Sequence, residues 1–340
     1  MSDKALVTVT GASGFIAQHT IRQLLDAGYA VRGTVRDLGR AEDLTAALAK
    51  NSNVTRLTFA EADLSHDEGW AAALDGAKYL LHMASPLPTL EPKDENDLII
   101  PARAGALRAL KAAVDAGVAR IVMTSSIAAV GGGSTKTTPL TEADWSDTTR
   151  DIGAYPKSKT LAEKAAWDYI NSLPPENRPE LVMINPGFVL GPLIAADASA
   201  SHEVVRRLLA KEVPGIPNIG FNLVDVRDVA AAHVAALTAE AAPGNRYICV
   251  SQYFLFKDIA AEVREHVALR GYKVASRQIP DWVVRLLAKF NPALRVVASR
   301  LGQNIRFDTS KIKADLNWQP MTLGQSIRET ADSLIDHKIV

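Results

Sequence analysis

The sequence predicts an α/β protein, a doubly wound parallel sheet that carries a smaller, discontinuous, mainly helical lobe. Two observations support this fold class. Short β-branched and apolar segments alternate with amphipathic segments over residues 1–186, and the alternation fails beyond Pro186. Right-handed crossovers between parallel strands place helices on both faces of such a sheet. Residues 187–222 read instead as loop with one helix, and Pro214 and Pro217 interrupt them.

The first strand and first helix set the pattern. Residues 5–10 form an uncharged, β-branched run, as expected of a strand buried on both faces of a parallel sheet. Apolar residues then recur at helical spacing over residues 14–27, and Gly28 stands where that helix would end. The same reasoning predicts strands at 30–35, 54–60, 79–83, 120–124 and 181–185, and helices at 40–50, 67–74, 98–116 and 155–171.

The alternation of strands and helices resumes briefly after residues 187–222. A strand at 223–226, a helix at 227–239 and a strand at 246–250 are predicted to rejoin the sheet. From Phe256 onward the chain reads as mostly helical, ending in an amphipathic helix over 323–336. We therefore predict two domains, one formed by 1–186 plus 223–250 and the other by 187–222 plus 251–340.

Composition limits the classes of function. The 340 residues carry 38 Lys and Arg against 38 Asp and Glu, so no bulk field attracts nucleic acid or an anionic membrane. The sequence contains no apolar run of about 18 residues, so no membrane span is predicted. The N-terminus lacks the apolar core of a signal peptide. A single cysteine, Cys249, excludes an internal disulfide, and no Cys or His spacing predicts a metal site. We expect a cytoplasmic monomer or homodimer that binds a small molecule.

The loop after the first strand predicts a dinucleotide site. Residues 10–17 read Thr-Gly-Ala-Ser-Gly-Phe-Ile-Ala and open the first helix. Small residues let the backbone approach a pyrophosphate, which the exposed amides and the helix dipole stabilise. Gly11 and Gly14 are three apart, so the six-position fingerprint is not met literally, although Ala17 fits its last position. The alternative is a tight turn without ligand. Residues 1–186 plus 223–250 are thus the predicted dinucleotide-binding domain, and the other lobe the predicted substrate-binding lobe.

The end of the second strand indicates which dinucleotide binds. Arg36 stands where an NAD enzyme usually presents a carboxylate, and an arginine suits the 2′-phosphate of NADP(H) through bidentate hydrogen bonds. Arg40 is close enough in sequence to assist. The alternative is that Arg36 is a solvated cation and Asp37 binds the ribose. Asp63 follows the third strand, and its carboxylate is a candidate to bind the adenine amino group. The alternative is that Asp63 is a solvated acid in a loop.

Two residues on one predicted helix predict proton transfer. Tyr155 and Lys159 lie four residues apart and so share a helix face. A tyrosine titrates near 10, and a neighbouring ammonium favours the phenolate, so Tyr155 can exchange a proton with a carbonyl oxygen. Lys159 would also hold the ribose hydroxyls of the nicotinamide. The strand before this helix ends in Thr124-Ser-Ser126, and a serine there can polarise a substrate carbonyl.

Taken together, these motifs resemble the extended short-chain dehydrogenase/reductase superfamily, and within it the dihydroflavonol-reductase-like branch with its microbial NADPH-dependent aldehyde and ketone reductases. The resemblance rests on residues 11–19, 34–37, 82–86, 124–126, 155–167, 185–192 and 224–229. It implies a Rossmann-type fold and the catalytic trio Ser126, Tyr155 and Lys159. It implies that the cofactor is bound by Gly11, Ser13, Gly14, Phe15, Ile16, Arg36, Asp63, Leu64, Ala84, Ser85, Pro186 and Gly187, besides Tyr155 and Lys159.

The substrate side of the site is less specified. Plant flavonoid reductases carry an asparagine where this chain has Gly131, and a glutamine near Asn222, so the resemblance does not favour a dihydroflavonol. Leu87, Leu90, Phe188, Leu190, Leu193 and Ile194 flank the catalytic stretches and, taken together, favour a hydrophobic substrate. The predicted substrate-binding residues are Leu87, Ser126, Gly131, Phe188 and Asn222.

The sequence therefore predicts NADPH-dependent reduction of an apolar or aromatic aldehyde or ketone, with Tyr155 as proton donor. Two alternatives stay open. One is a nucleotide-sugar epimerase or dehydratase that keeps NAD bound, against which Arg36 and the apolar segment 187–196 count. The other is a non-catalytic dinucleotide-binding regulator, which would need neither Tyr155 nor Lys159.

Overall fold

The computed structural model describes residues 4–86 and 92–340. The described strands are β1 (Leu6–Val9), β2 (Ala30–Val35), β3 (Leu57–Glu61), β4 (Tyr79–His82), β5 (Arg120–Thr124), β6 (Glu180–Pro186), β7 (Phe188–Leu190), β8 (Gly220–Asp225), β9 (Arg246–Cys249) and β10 (Gln252–Leu255). The α-helices are α1 (Phe15–Asp26), α2 (Ala41–Ala49), α3 (Trp70–Leu74), α4 (Asn96–Asp115), α5 (Ala128–Gly131), α6 (Ala154–Ser172), α7 (Ala200–Leu209), α8 (Val226–Ala236), α9 (Phe256–Val267), α10 (Asp281–Leu287), α11 (Pro292–Ser299), α12 (Ser310–Leu316) and α13 (Leu323–Asp336). None of the helices in these ranges is long and apolar enough to cross a membrane.

The larger sheet has seven strands in the order β3-β2-β1-β4-β5-β6-β9. Every neighbouring pair is parallel, so all the strands present their carboxyl ends at one edge. The direction of winding reverses between β1 and β4. In open α/β sheets, ligands bind outside the carboxyl ends of the strands at such a reversal. The predicted doubly wound parallel sheet is confirmed.

One face of this sheet is covered by α4 and α6. Their contact surface is rich in alanine, including the fully buried Ala109 and Ala166, and these small side chains allow close approach of the two helices. Leu110 on α4 and Ile121 on β5 are also fully buried. Burying a side chain of that size contributes about 1.5–3 kcal/mol. Pro101 lies inside α4, which continues through it.

The chain divides into two compact units, the first formed by 1–186, 227–249 and 307–319, and the second by 187–226, 250–306 and 320–340. The second unit contains a three-stranded sheet in the order β10-β8-β7. Strand β8 is antiparallel to β10 and parallel to β7. Polar groups of α13 are buried within this unit: the Ser326 hydroxyl donates to Asp225 at 2.5 Å, and the Gly191 amide donates to Thr330 at 2.8 Å.

These boundaries differ from the prediction at three places, 223–226, 250 and 307–319. The segment 223–226 was expected in the large sheet, but β8 belongs to the small one. Residues 307–319 were expected in the second lobe, but they lie in the first unit, where Trp318 donates to the carbonyl of Asp228 at 2.9 Å. Strands β7 and β10 were not predicted. All these errors concern pairing between distant segments, which local patterns do not encode.

Candidate active site

The turn from β1 to α1 approaches the loop after β4 closely. Gly11 has a φ of +67°, and a β-carbon on it would lie 3.0 Å from the β-carbon of Ala84. The Gly11 amide donates to the hydroxyl of Thr34 at 3.1 Å, which holds the turn against the end of β2. Helix α1 begins at Phe15, so its first amides face the loop. The turn therefore has the shape and polarity of an anion-binding loop.

A cavity of about 700 Å³ lies at the carboxyl ends of β1 to β4. This size is typical of cofactor sites. Eight of the predicted cofactor residues line it: Gly11, Ser13, Gly14, Arg36, Asp63, Leu64, Ala84 and Ser85. The other seven do not line it: Phe15, Ile16, Arg40, Tyr155, Lys159, Pro186 and Gly187. Phe15 is buried and packs edge-on against His19, with ring centroids 5.6 Å apart, so it supports the loop from behind.

The loop after β3 is rigidly held. Asp63 accepts from the amide and hydroxyl of Ser65 at 2.7 and 2.6 Å, and these bonds, assisted by the charge of Arg36, lower its pKa. The Trp70 indole donates to the carbonyl of Asp63 at 2.9 Å, and Arg108 donates to the carbonyl of Leu64. An exposed cation and a fixed carboxylate thus lie at one end of the cavity, which fits a phosphorylated ribose and an adenine.

Sequence reasoning missed Thr34, Trp70 and Arg108, which also line the cavity. Each of these three residues reaches the cavity only when the sheet has folded. The indole and guanidinium hydrogen-bond to backbone carbonyls of the loop after β3, so no local motif marks them.

Ser126, Tyr155 and Lys159 come together beyond the carboxyl end of β5. The hydroxyls of Ser126 and Tyr155 are hydrogen-bonded, and Ser126 also accepts from the amide of Ala128 at 3.1 Å. The Lys159 ammonium lies 6.0 Å from the centroid of the Tyr155 ring. Glycine at 153, with a φ of +84°, precedes α6 and sets the direction in which Tyr155 enters it. The structure thus places a phenol, a hydroxyl and an ammonium in one cluster.

The protonation of this cluster is governed by burial. Burial raises the pKa of Tyr155 above its usual 10, and the hydrogen bond with Ser126 offsets this only in part. Burial lowers the pKa of Lys159 to about 8, while the charge of Glu163 opposes that change. The sequence led us to expect that Lys159 lowers the pKa of Tyr155. In the structure the pKa of Tyr155 is raised, because burial removes the water that would stabilise the phenolate.

A buried carboxylate supports the trio and was not predicted. Glu163 is fully buried and accepts hydrogen bonds from Ser125 at 2.5 Å, from Asn185 at 2.9 Å and from Arg246 at 2.5 Å. Asn185 also donates to the carbonyl of Ser126 at 3.2 Å. The signal was present in the sequence as an acidic residue one turn after Lys159, but its partners lie on β6, on β9 and just after β5.

The remaining predicted residues fall into three groups. In the first unit, Pro186 accepts from the amide of Ile127 at 3.0 Å, so it adjoins the loop of Ser126. Gly131 is buried, and a β-carbon on it would lie 3.1 Å from the side chains of Leu140 and Phe307. Predicted residues in the second unit are Gly187, Phe188 and Asn222. There, Phe188 packs on Phe221 with centroids 4.6 Å apart, and Asn222 donates to the carbonyl of Ile305 at 3.0 Å. Leu87 and Leu90 lie outside the described residues.

No metal centre is found in the parts of the chain described. No group of three or more His, Cys, Asp or Glu side chains within 4–86 and 92–340 is arranged to hold an ion. Cys249 is buried, and burial raises its thiol pKa well above the usual value, so the thiolate is disfavoured.

Comparison with known proteins gives a consistent result. Residues 8–267 match the model of the 3-beta hydroxysteroid dehydrogenase/isomerase family. The chain is 32% identical over 342 residues to cinnamoyl-CoA reductase CAD2 of Medicago truncatula, covering 98% of this chain and 96% of that protein. It is 30% identical to the NADPH-dependent methylglyoxal reductase GRE2 of Saccharomyces cerevisiae, covering 97% and 98%.

The solved structures agree. The crystal structure of the yeast methylglyoxal/isovaleraldehyde reductase Gre2 complexed with NADPH superposes with a TM-score of 0.79 at 29% identity, covering 98% of this chain and 99% of that one. The predicted resemblance to the reductase branch is therefore confirmed. The predicted NADP(H) cofactor agrees with the NADPH named for these relatives.

Proposed function

This chain belongs to the 3-beta hydroxysteroid dehydrogenase/isomerase family, and from that membership we propose that it is an NADPH-dependent reductase of aldehydes or ketones. The hydrogen-bonded pair of Ser126 and Tyr155, with Lys159 one helical turn away, is the observation that carries the proposal. Names of the relatives support it, since they include NADPH-dependent reductases of methylglyoxal and reductases of cinnamoyl-CoA.

The cofactor would lie along the cavity of the first unit. Gly11 and Gly14 would admit the pyrophosphate to the backbone amides, Arg36 would bind the 2′-phosphate and Asp63 the adenine. Phe15, Ile16 and Arg40 remain proposed contacts of the cofactor. Pro186 and Gly187 remain proposed contacts of the nicotinamide. When bound, NADPH supplies the hydride that reduces the carbonyl carbon.

The chain's own residues supply the proton and orient the oxygen. Tyr155 donates its hydroxyl proton to the carbonyl oxygen, and burial suits this role because it keeps the phenol protonated. Ser126 hydrogen-bonds to the same oxygen and stabilises the charge that develops on it. Lys159 binds ribose hydroxyls and stabilises the phenolate left after transfer. The substrate we propose is an apolar or aromatic carbonyl compound, and Phe188 and Asn222 remain proposed substrate-binding residues.

The test is NADPH consumption by the purified full chain with a panel of carbonyl compounds, including methylglyoxal, isovaleraldehyde and cinnamoyl-CoA. We expect turnover with NADPH and a loss of about 10²–10⁴-fold in kcat for Tyr155→Phe. Tyr169→Phe, on the same helix, is the matched control and should keep full activity. Near-normal turnover of Tyr155→Phe contradicts the mechanism. Purification with bound NAD and no net NADPH consumption would instead favour an epimerase, and binding without turnover a regulator.

A further inference from the structure

The side chain of Glu163 occupies an unusual position for a carboxylate. It lies on α6 one turn beyond Lys159 and is 0% exposed. Ser125 just after β5, Asn185 on β6 and Arg246 on β9 all donate to it. Burial of a charge is unfavourable unless ion pairs and hydrogen bonds compensate for the lost water. Three donors, two on strands and one just after a strand, provide that compensation and hold the carboxylate at a fixed point.

Arg246 is itself fixed by other contacts. Its guanidinium lies 3.7 Å from the centroid of the Trp145 ring and donates to the carbonyls of Glu142 and Asp144 at 2.7 and 2.8 Å. Its charge is therefore shared between the carboxylate, two carbonyls and an aromatic face. The carboxylate retains enough negative potential to act on Lys159, whose pKa it raises against the effect of burial.

The other groups that face Lys159 are uncharged at neutral pH. On α6 the neighbour is the Tyr155 phenol. His82 on β4 is another neighbour of Lys159, and its pKa falls to about 3 because it is buried and because Lys159 is cationic. Among the groups of residues 4–86 and 92–340 that shift the pKa of Lys159, Glu163 is therefore the one that supplies negative charge.

We propose that Glu163 is a positioning residue of the reductase: its buried carboxylate keeps Lys159 protonated at neutral pH and fixes Ser125 and Asn185 beside Ser126. This inference rests on the proposed function, because it assigns a purpose to the charge of Lys159. Glu163 is not assigned as a catalytic residue, because its described contacts are to the chain itself. The amide of Asn185 connects the two effects, since it donates to Glu163 and to the carbonyl of Ser126.

The principal variant is Glu163→Gln, assayed in the full chain with NADPH. Loss of the negative charge lets burial lower the pKa of Lys159 further. We expect the alkaline limb of the kcat/KM profile to move to lower pH by about one unit or more. Activity should then fall roughly fivefold at about pH 8 and change little at about pH 6. Asp168→Asn removes an exposed charge from the same helix and should leave the profile unchanged.

A second variant addresses folding, because Glu163→Gln leaves Arg246 as a buried cation without its carboxylate. Glu163→Gln combined with Arg246→Met removes both charges. If Glu163 acts on Lys159, the alkaline limb stays shifted in the double variant, since the negative charge is still missing. If the shift comes only from the unpaired charge of Arg246, the double variant regains the wild-type profile, and the inference is wrong.

A readout without turnover separates this inference from the proposed function. The pH at which Lys159 becomes half-reactive towards acetic anhydride, followed by mass spectrometry of its peptide, reports its protonation directly. We expect this midpoint to fall by about one unit or more in both variants. An unshifted midpoint in folded Glu163→Gln overturns the inference. A wild-type protein that shows no reductase activity overturns the proposed function, whatever the labelling shows.

Discussion

The hydroxyl of Thr10 donates a hydrogen bond to Nδ1 of His82, with the two atoms 3.0 Å apart. The direction follows from the other contacts of the hydroxyl, which accepts the amides of Met83 and Ala84, each at 2.9 Å. Both of its acceptor sites are used, so its hydrogen is directed at the imidazole. This contact joins the ends of β1 and β4, between which the winding of the sheet reverses, and so fixes the floor of the cavity.

Thr10→Val should therefore weaken both folding and cofactor binding. The variant leaves two amides and one ring nitrogen without their partner, so we expect about 2–4 kcal/mol lower stability and at least about tenfold weaker NADPH binding. Urea unfolding and fluorescence titration measure the two effects. Thr8→Val, on the same strand, removes one bond to the carbonyl of Ala73 and is the control. Equal NADPH affinity in Thr10→Val and the wild type would refute the role given to this contact.

The glycine of the cofactor loop gives a prediction with a close internal control. Gly11 and Gly28 both have positive φ, at +67° and +86°, but only Gly11 faces a neighbour, Ala84. Gly28→Ala measures the backbone strain alone, about 1 kcal/mol. Gly11→Ala adds the displacement of Ala84, so we expect a further loss of stability and roughly tenfold or more weaker NADPH binding. Should both variants bind NADPH equally well, close approach at Gly11 does not shape the site.

Arg36 should determine the choice between NADPH and NADH. Its guanidinium lines the cavity beside Asp63, where a 2′-phosphate would lie. Charge-assisted bidentate bonds are worth about 1.5–3 kcal/mol, so Arg36→Gln should raise the KM for NADPH by roughly 10- to 100-fold and leave that for NADH nearly unchanged. Arg56→Gln, on the surface before β3, is the control. A parallel loss with both cofactors would show that Arg36 does not contact the 2′-phosphate.

The sequence predicted the large sheet well and the smaller one poorly. Runs such as 121–123 are apolar because parallel strands are buried on both faces, and the alternation of strands with helices implies the winding. The membership of 223–226 depends on its partners, which are residues of β7 and β10. Nothing within the segment itself identifies those partners.

The sequence also predicted part of the candidate site and missed the rest. Tyr155 and Lys159 were found because one helix turn joins them, and Gly11 because the loop is continuous in sequence. Glu163 was missed because Arg246, its ion-pair partner, is 83 positions away. His82 is buried and bonded to Thr10, and its nearness to Lys159 follows only from the fold.

Three buried histidines should make the protein sensitive to acid. Burial lowers the pKa of His82 to about 3 and those of His202 and His233 to about 4, from 6.5. The unfolded chain therefore binds protons that the folded chain does not, so stability is complete above about pH 6.5 and falls as pH decreases. At about pH 5 each histidine costs about 2 kcal/mol.

Chemical denaturation across this pH range tests the effect. His233→Gln removes one titrating ring while leaving an acceptor for Thr124, whose hydroxyl now lies 2.7 Å from the ring nitrogen. We expect this variant to lose less stability between about pH 7 and pH 5 than the wild type does. His337→Gln, near the C-terminus, is the control. The same pH dependence in His233→Gln and wild type would mean that His233 titrates normally.

The central claim is that hydride passes from NADPH to a carbonyl carbon while Tyr155 supplies the proton. NADPH deuterated at the transferring position of the nicotinamide tests it directly, with mass spectrometry of the product alcohol. We predict one deuterium on the former carbonyl carbon for each NADPH consumed, and almost no labelled product from Tyr155→Phe over the same time. Product without deuterium, or labelled product formed equally fast by Tyr155→Phe, would contradict the account.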